Sequence, residues 1–275
     1  MLDSVDKYLE TAKPMPSARR SPPVTWLAAD LVPGGPVAAH AHPEGQLVFA
    51  VDGVVRVETD EGTWVVPPHR AVWVPGMVRH ALSTRQIAKV RTLYVAAGAA
   101  DGLPDHCLVL TVSPLLREII VSLMQHSPRY QDTDATGRLV HVALDQIAAC
   151  PRTQLFLPMP KDRRLQAFAQ GLIDEPGSRL GLAEWAERCG MSVRSFARHV
   201  QAQTGLTFGQ WRQQVRLMEA VARLGEGTRV SDVALDLGYE SPSAFIAMFR
   251  RAFGVSPSKL LAIGPDTAER PASAS

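Results

Sequence analysis

The sequence predicts an α+β multidomain chain: an N-terminal β-barrel or jelly roll, followed by an all-α domain with two helix-turn-helix units. Three observations predict it. Short β-rich runs broken by Asp-Gly and Glu-Gly turns fill residues 24–112, and apolar residues at helical spacing take over from residue 113. Between Leu182 and Gly254 one pattern of short helix, Gly turn and longer helix occurs twice.

Composition sets the outer limits. The 275 residues are 46% hydrophobic and 20% charged, ordinary for a globular chain with room for two cores. Cys107, Cys150 and Cys189 are odd in number and lack CxxC spacing, so neither a disulfide frame nor a cysteine zinc site is expected, and a reducing cytoplasm fits. The N-terminus carries acids where an export signal carries bases, and no apolar run reaches the roughly 20 residues of a membrane span. Net charge is +2, unevenly placed: residues 1–160 hold 14 basic and 15 acidic side chains, residues 161–275 hold 15 and 12. The C-terminal part is where a phosphate backbone would be met.

In chain order, residues 1–23 are rich in Pro, Ser and Arg without periodicity and read as a flexible lead-in. The strands QLVFAV, VVRVET, TWVVPP and AVWVP follow, with turns at Asp52-Gly53 and Glu61-Gly62. Within this region Gly34 precedes His40-x-His42, Gln46 and Gly53, and Pro75-x-Met77-x-x-His80 comes later. In those residues the region resembles a cupin. The resemblance implies a double-stranded β-helix with His40, His42 and His80 at the barrel mouth. A metal-binding cupin completes this set with an acid, and the matching position here is the neutral Gln46; the second motif has Met77 where the family has Gly. Glu44 would reach a metal only if Pro43–Gly45 forms a loop. Three readings stay open for the pocket: a divalent transition metal on His40, His42 and His80, an organic effector bound by His40, His42, Gln46, Trp73 and His80, or a vestigial site. Trp64 and Trp73 are expected to pack the barrel, and His69, His106, His126 and His141 show no ligand spacing.

From Ser113 two amphipathic helices are expected over 113–150, the first with Ser113 as N-cap and Pro114 at N1. Their apolar stripes would dock on the barrel or on a second copy of the chain. Residues 151–161, with Pro151, Pro158 and Pro160, read as the interdomain linker.

Residues 162–263 form the all-α domain. In the first unit Leu182, Trp185 and Ala186 face inward, Gly190 makes the turn and Ser192 caps the next helix, which buries Phe196 and Val200. Its outer face presents Arg194, Ser195, Ala197, Arg198 and Gln201. Arginine on a helix is the donor suited to guanine in the major groove. Phe208–Leu224 forms a strut of about 25 Å between the units. In the second unit Gly238 makes the turn and Ser241-Pro242 starts the last helix, whose outer face is Ser243, Ala244, Ala247 and Arg250.

Leu165–Leu260, including FRRAFGVSPSKL, resembles the DNA-binding domain of AraC/XylS regulators, whose usual companion is a cupin-like effector domain. The resemblance places Arg194, Ala197 and Arg198, and then Ser243, Ala244 and Ala247, on the reading helices. It implies a cytoplasmic, sequence-specific transcription regulator and not an enzyme. The expected partners are double-stranded DNA and a small-molecule or metal effector, with RNA polymerase and a second copy as further candidates and no membrane. The rival is a metal-dependent cupin enzyme carrying a DNA-binding domain. Residues 264–275 read as a disordered tail.

Overall fold

The computed structural model describes residues 22–153 and 155–262. The lead-in and the tail expected from the sequence lie, apart from residues 22 and 23, outside the described residues.

The strands are β1 (Val24–Leu31), β2 (Val37–His40), β3 (Gly45–Asp52), β4 (Val55–Thr59), β5 (Gly62–Val66), β6 (Arg70–Val74), β7 (His80–Ser83), β8 (Ala88–Val95), β9 (Leu108–Thr111), β10 (Arg152–Thr153) and β11 (Phe156–Pro158). They form two sheets, one ordered β1-β8-β3-β6-β9-β10 and the other β11-β5-β4-β7-β2. Each strand alternates its side chains between faces. Val48, Ala50, Val72 and Val74 of the first sheet and Val55, Val57, Trp64 and Leu82 of the second are buried between the two layers.

The outer face of the first sheet, with Leu47, Phe49, Ala71, Trp73 and Leu93, is covered by α1 (Pro114–Leu123) and α2 (Ala135–Ala149). Leu116, Ile119, Ile120, Leu123, Val140, Ala143 and Ile147 make that contact, so this pair docks within its own chain. Ser113 caps α1, accepting from Leu116 N, and Asp134 caps α2.

The expected linker is stitched into the barrel. β10 pairs with β9 and β11 pairs with β5, so Arg152–Thr153 join one sheet and Phe156–Pro158 the other. Pro158 lies in β11 at the edge of its sheet, where a strand needs no donor on its free side.

The all-α domain comprises α3 (Arg163–Asp174), α4 (Leu182–Arg188), α5 (Val193–Thr204), α6 (Phe208–Gly225), α7 (Val230–Asp236), α8 (Pro242–Phe253) and α9 (Pro257–Ala262). Phe168 of α3 is its hub, with ring centroids 5.5 Å from Trp185, 5.1 Å from Phe196, 5.8 Å from Phe208 and 5.0 Å from Trp211. The strut α6 has 18 residues and lies against the second sheet. Trp211 Nε1 donates to Pro158 O at 2.8 Å and Gln214 Nε2 to Phe156 O at 2.8 Å. No described helix is long and apolar enough to cross a membrane.

Phe168→Ala is expected to cost about 3–5 kcal/mol, because four aromatic neighbours would line the cavity it leaves. Urea unfolding checks it; a loss under 1 kcal/mol, on the order of a surface change, would show that Phe168 is not the hub.

Candidate effector site and DNA-binding face

The histidine site is assembled by strand register. His40 ends β2 and lies directly opposite His80, the first residue of β7. His42 comes from the loop before β3, and Gln46 is the second residue of β3. Ring centroids are 4.5 Å apart for His40 and His80, 5.2 Å for His42 and His80, and 5.5 Å for His40 and His42. One ligand nitrogen from each histidine lies within 4.8 Å of the others.

Backbone carbonyls choose the tautomers. His40 Nδ1 lies 2.9 Å from Ala38 O, His42 Nδ1 2.9 Å from Glu44 O, and His80 Nδ1 2.8 Å from Val78 O. A carbonyl only accepts, so each Nδ1 is the donor and each neutral ring keeps its lone pair on Nε2. Burial pushes the His80 pKa down to about 4, the Val78 carbonyl opposes that drop, and the charges of His40 and His42 add to it. His80 is therefore a neutral imidazole at pH 7.

Gln46 closes the site. It is 3% exposed, and its Oε1 lies 2.7 Å from His80 Nε2 and 3.2 Å from His42 Nε2. Two lone pairs meeting an oxygen at these distances repel each other unless something positive lies between them. Either the amide is turned so that its NH₂ donates to both rings, or a cation is shared. Ligand bonds of about 2.1 Å at right angles place neighbouring donor atoms roughly 3 Å apart, and these contacts bracket that value. The donor set therefore fits a divalent transition metal, and carbonyl-fixed Nδ1 atoms are the usual outer support for such ligands.

The loop carrying His42 is clasped by the β6–β7 turn. Met77 N donates to His42 O at 2.7 Å, and Met77 itself adopts φ 64°, the left-handed conformation that the glycine of the family motif would supply. At Gly76 an added Cβ would come 2.2 Å from Pro43 O, so the glycine is needed one residue earlier than the motif puts it.

Trp73 does not join the site. It sits on the opposite face of β6 from Val72 and Val74, under α1 and α2, and its Nε1 donates to Pro104 O at 2.8 Å. Strand alternation puts it there. Tyr94, which the sequence did not single out, pairs with Gln46 in register and sets its ring 5.4 Å from that of His42. Burial, and secondarily Glu44, raises the Tyr94 pKa, so its hydroxyl stays protonated. Glu44 does lie in a loop, but its carboxylate approaches His42 from the Nδ1 side at 3.6 Å, away from the converging Nε2 atoms. His69, His106, His126 and His141 lie apart from the cluster, as their spacing predicted.

The second candidate site is the outward face of the helical domain. Ser192 Oγ accepts from Ser195 N and caps α5; Ser241 Oγ accepts from Ala244 N and caps α8. Gly190 and Gly238, at φ 63° and 78°, make the two turns. Phe196 and Val200 of α5, and Phe245 and Phe249 of α8, are buried. That leaves Arg194, Arg198 and Gln201 exposed on α5, with Ser195 and Ala197 half-buried beside them. On α8 Ser243, Ala244, Ala247 and Arg250 are exposed, while the Ser241 hydroxyl is already used in the cap. Val193, first residue of α5 and 46% exposed, adds to the first face an apolar side chain that the sequence did not single out. Its signal was its position directly after the cap.

Residues 35–175 match the family model of an AraC-like ligand binding domain, and residues 185–262 that of a helix-turn-helix domain. The HTH-type transcriptional regulator NimR of Escherichia coli (strain K12) is 35% identical over 223 residues, 81% of this chain and 81% of that protein. The HTH-type transcriptional regulator RipA of Corynebacterium glutamicum is 35% identical over 101 residues, 37% of this chain and 30% of its own length. Among solved structures, ToxT from Vibrio cholerae O395 matches 89% of this chain and 99% of its own at 10% identity, with a TM-score of 0.38.

A neutral His80 stabilises the fold at neutral pH. In the unfolded chain His80 takes up a proton near its ordinary value of 6.5, while in the folded chain it does so only near 4. The unfolded state thus binds more protons in between, and stability falls as pH drops through that window. Urea unfolding in chelator-containing buffer should show this slope, and His80→Gln should flatten it; an equal slope in the variant would assign it to other groups.

Proposed function

The chain belongs to the AraC family of transcription regulators, and from that premise we propose that a divalent transition metal held by His40, His42, His80 and Gln46 controls how its helical domain engages DNA. The convergence of the His42 and His80 Nε2 lone pairs on Gln46 Oε1, with a ring nitrogen of His40 within 4.8 Å of a ligand nitrogen of each, carries this reading. When bound, the metal supplies a positive charge that cross-links β2, β3, β7 and the His42 loop. The chain's own residues do the rest. The carbonyls of Ala38, Glu44 and Val78 orient the rings, and the Met77–His42 contact holds the loop in place. Control follows only if the metal binds one arrangement of the two domains more tightly than another.

A second reading, an organic effector hydrogen-bonded by the same side chains and Tyr94, is favoured by the neutrality of Gln46, which turned over can donate to both rings without any ion. Metal analysis separates the two.

At the DNA, this reading gives the two units different tasks. Arg194 and Arg198 supply bidentate donors for base edges in the major groove, and Ala197 and Val193 offer methyl contact to thymine. Ser243, Ala244 and Ala247 supply close approach and Arg250 a charge, which suits α8 to phosphate contact and register. The strut, about 27 Å long at 1.5 Å per residue, keeps the two at a fixed separation. Leu115 and Val142, 54% and 41% exposed on the helix pair, offer a surface for a second copy of the chain. RNA polymerase at the promoter completes the partners in this reading.

Cobalt binding to purified full-length protein, followed by equilibrium dialysis, should be stoichiometric, lost in His40→Ala and His80→Ala, and tightened by Gln46→Glu. A protein that takes up no metal while its DNA footprint still responds to an organic inducer would leave only the second reading. Arg198→Ala should weaken specific DNA binding by about 1–3 kcal/mol and relax preference at one base pair. Unchanged affinity and preference across a mutated-site panel would show that α5 sits in another register. Ala247→Arg should raise affinity for any sequence and steepen its salt dependence, and an unaltered salt slope would move that face away from the phosphates.

A further inference from the structure

The face of the second sheet that points away from the histidines is also used. Strand pairing puts Arg56 opposite Val65 and Glu58 opposite Thr63, and these side chains project toward the helical domain. Between them and α3 and α6 lies a cavity of about 220 Å³. Half of its wall is barrel and half is helical domain, and His80 belongs to the other face of the same sheet.

Its charges are not evenly matched. Glu219 of α6 accepts from Arg56 Nη2 at 2.9 Å and from both Nη atoms of Arg85, at 2.5 and 2.9 Å. Glu226 adds a second acid near the same two arginines, so that corner is balanced. Glu58 is different. It lines the cavity, and its carboxylate has no hydrogen-bond or ion-pair partner among the described residues. Around it the wall offers hydroxyl and amide groups from Thr63 and Gln170, and beyond them an apolar floor including Ile173 and Met218.

We propose that this interdomain cavity is a second small-molecule site, separate from the histidine cluster, and that it takes an organic cation: a primary amine on a short apolar body. The ammonium pairs with Glu58 and hydrogen-bonds to Thr63 and Gln170, and the body fills the space against Ile173 and Met218. A charge-assisted pair of this kind replaces water on a carboxylate that nothing else neutralises. Because the wall is shared, the occupant binds only when the barrel and the strut are docked. It therefore stabilises the docked arrangement and is coupled to DNA binding, in whichever direction DNA prefers that arrangement.

Calorimetric titration of the full-length protein with hexylamine, hexanoate and hexanol tests this. The expected result is saturable binding of hexylamine, weaker binding of hexanol and none of hexanoate. Glu58→Gln, a change at an exposed side chain, should lower hexylamine affinity about 10-fold, the effect of one lost charge-assisted contact. Met218→Trp, which fills the floor, should abolish binding, and His40→Ala should leave it unchanged. Failure of hexylamine to saturate, equal binding of hexanoate, or full affinity in Glu58→Gln would each overturn the proposal. Loss of binding in His40→Ala with retention in Met218→Trp would overturn it too, by placing the amine in the barrel.

Discussion

The register of the second sheet is the constraint on which both halves of the molecule depend. In β4, β5 and β7 the inward residues Val57, Trp64 and Leu82 build the barrel core, and His80 continues that series at the mouth. The outward residues Arg56, Glu58, Thr63 and Val65 meet the helical domain. One sheet is thus the wall of the histidine cluster on one side and the seat of the helix-turn-helix domain on the other. A slip of one residue would exchange the two faces, turning His80 out and putting Arg56 among the valines. Each face holds the register for the other.

The strut α6 answers that sheet. Val215 and Met218 lie along the seam, Glu219 holds Arg56 and Arg85, and Gly225 comes so near Val54 that an added Cβ would lie 2.7 Å from its side chain. Burial lowers the Arg56 pKa, so part of what Glu219 supplies offsets the cost of taking that guanidinium out of water. Such a pair adds little net stability. What it does set is orientation, since a docked arrangement shifted along the seam would leave a buried charge alone. The helix that links the two helix-turn-helix units is at the same time the part gripped by the barrel.

Much of this was legible in the residues. The two helix-turn-helix units carry their own start and turn signals, Ser192 and Ser241 as caps and Gly190 and Gly238 as turns, and the structure uses each as written. The family motif located His40, His42, Gln46 and His80, and these four do converge. Trp73 shows the limit. It lies within the right strand, but only the pairing of Gln46 with Val74 reveals that Trp73 faces the helix pair instead. Tyr94 shows the converse: nothing local marks it, and its pairing with Gln46 brings it to the site.

The sequence by itself determined the local elements and the chemistry each carries: strand and helix periods, caps, turns, the histidines and the two outward arginines of α5. These depend on residues within a few positions of one another, so the chain states them without reference to the rest. Tertiary structure alone decided which stripe meets which. It docked α1 and α2 on the first sheet, paired β10 into one sheet and β11 into the other, and set Glu219 against two arginines more than a hundred residues away. The reason is physical: an apolar stripe or a lone charge specifies that it must be covered or paired, but its partner is chosen by the packing of the whole chain.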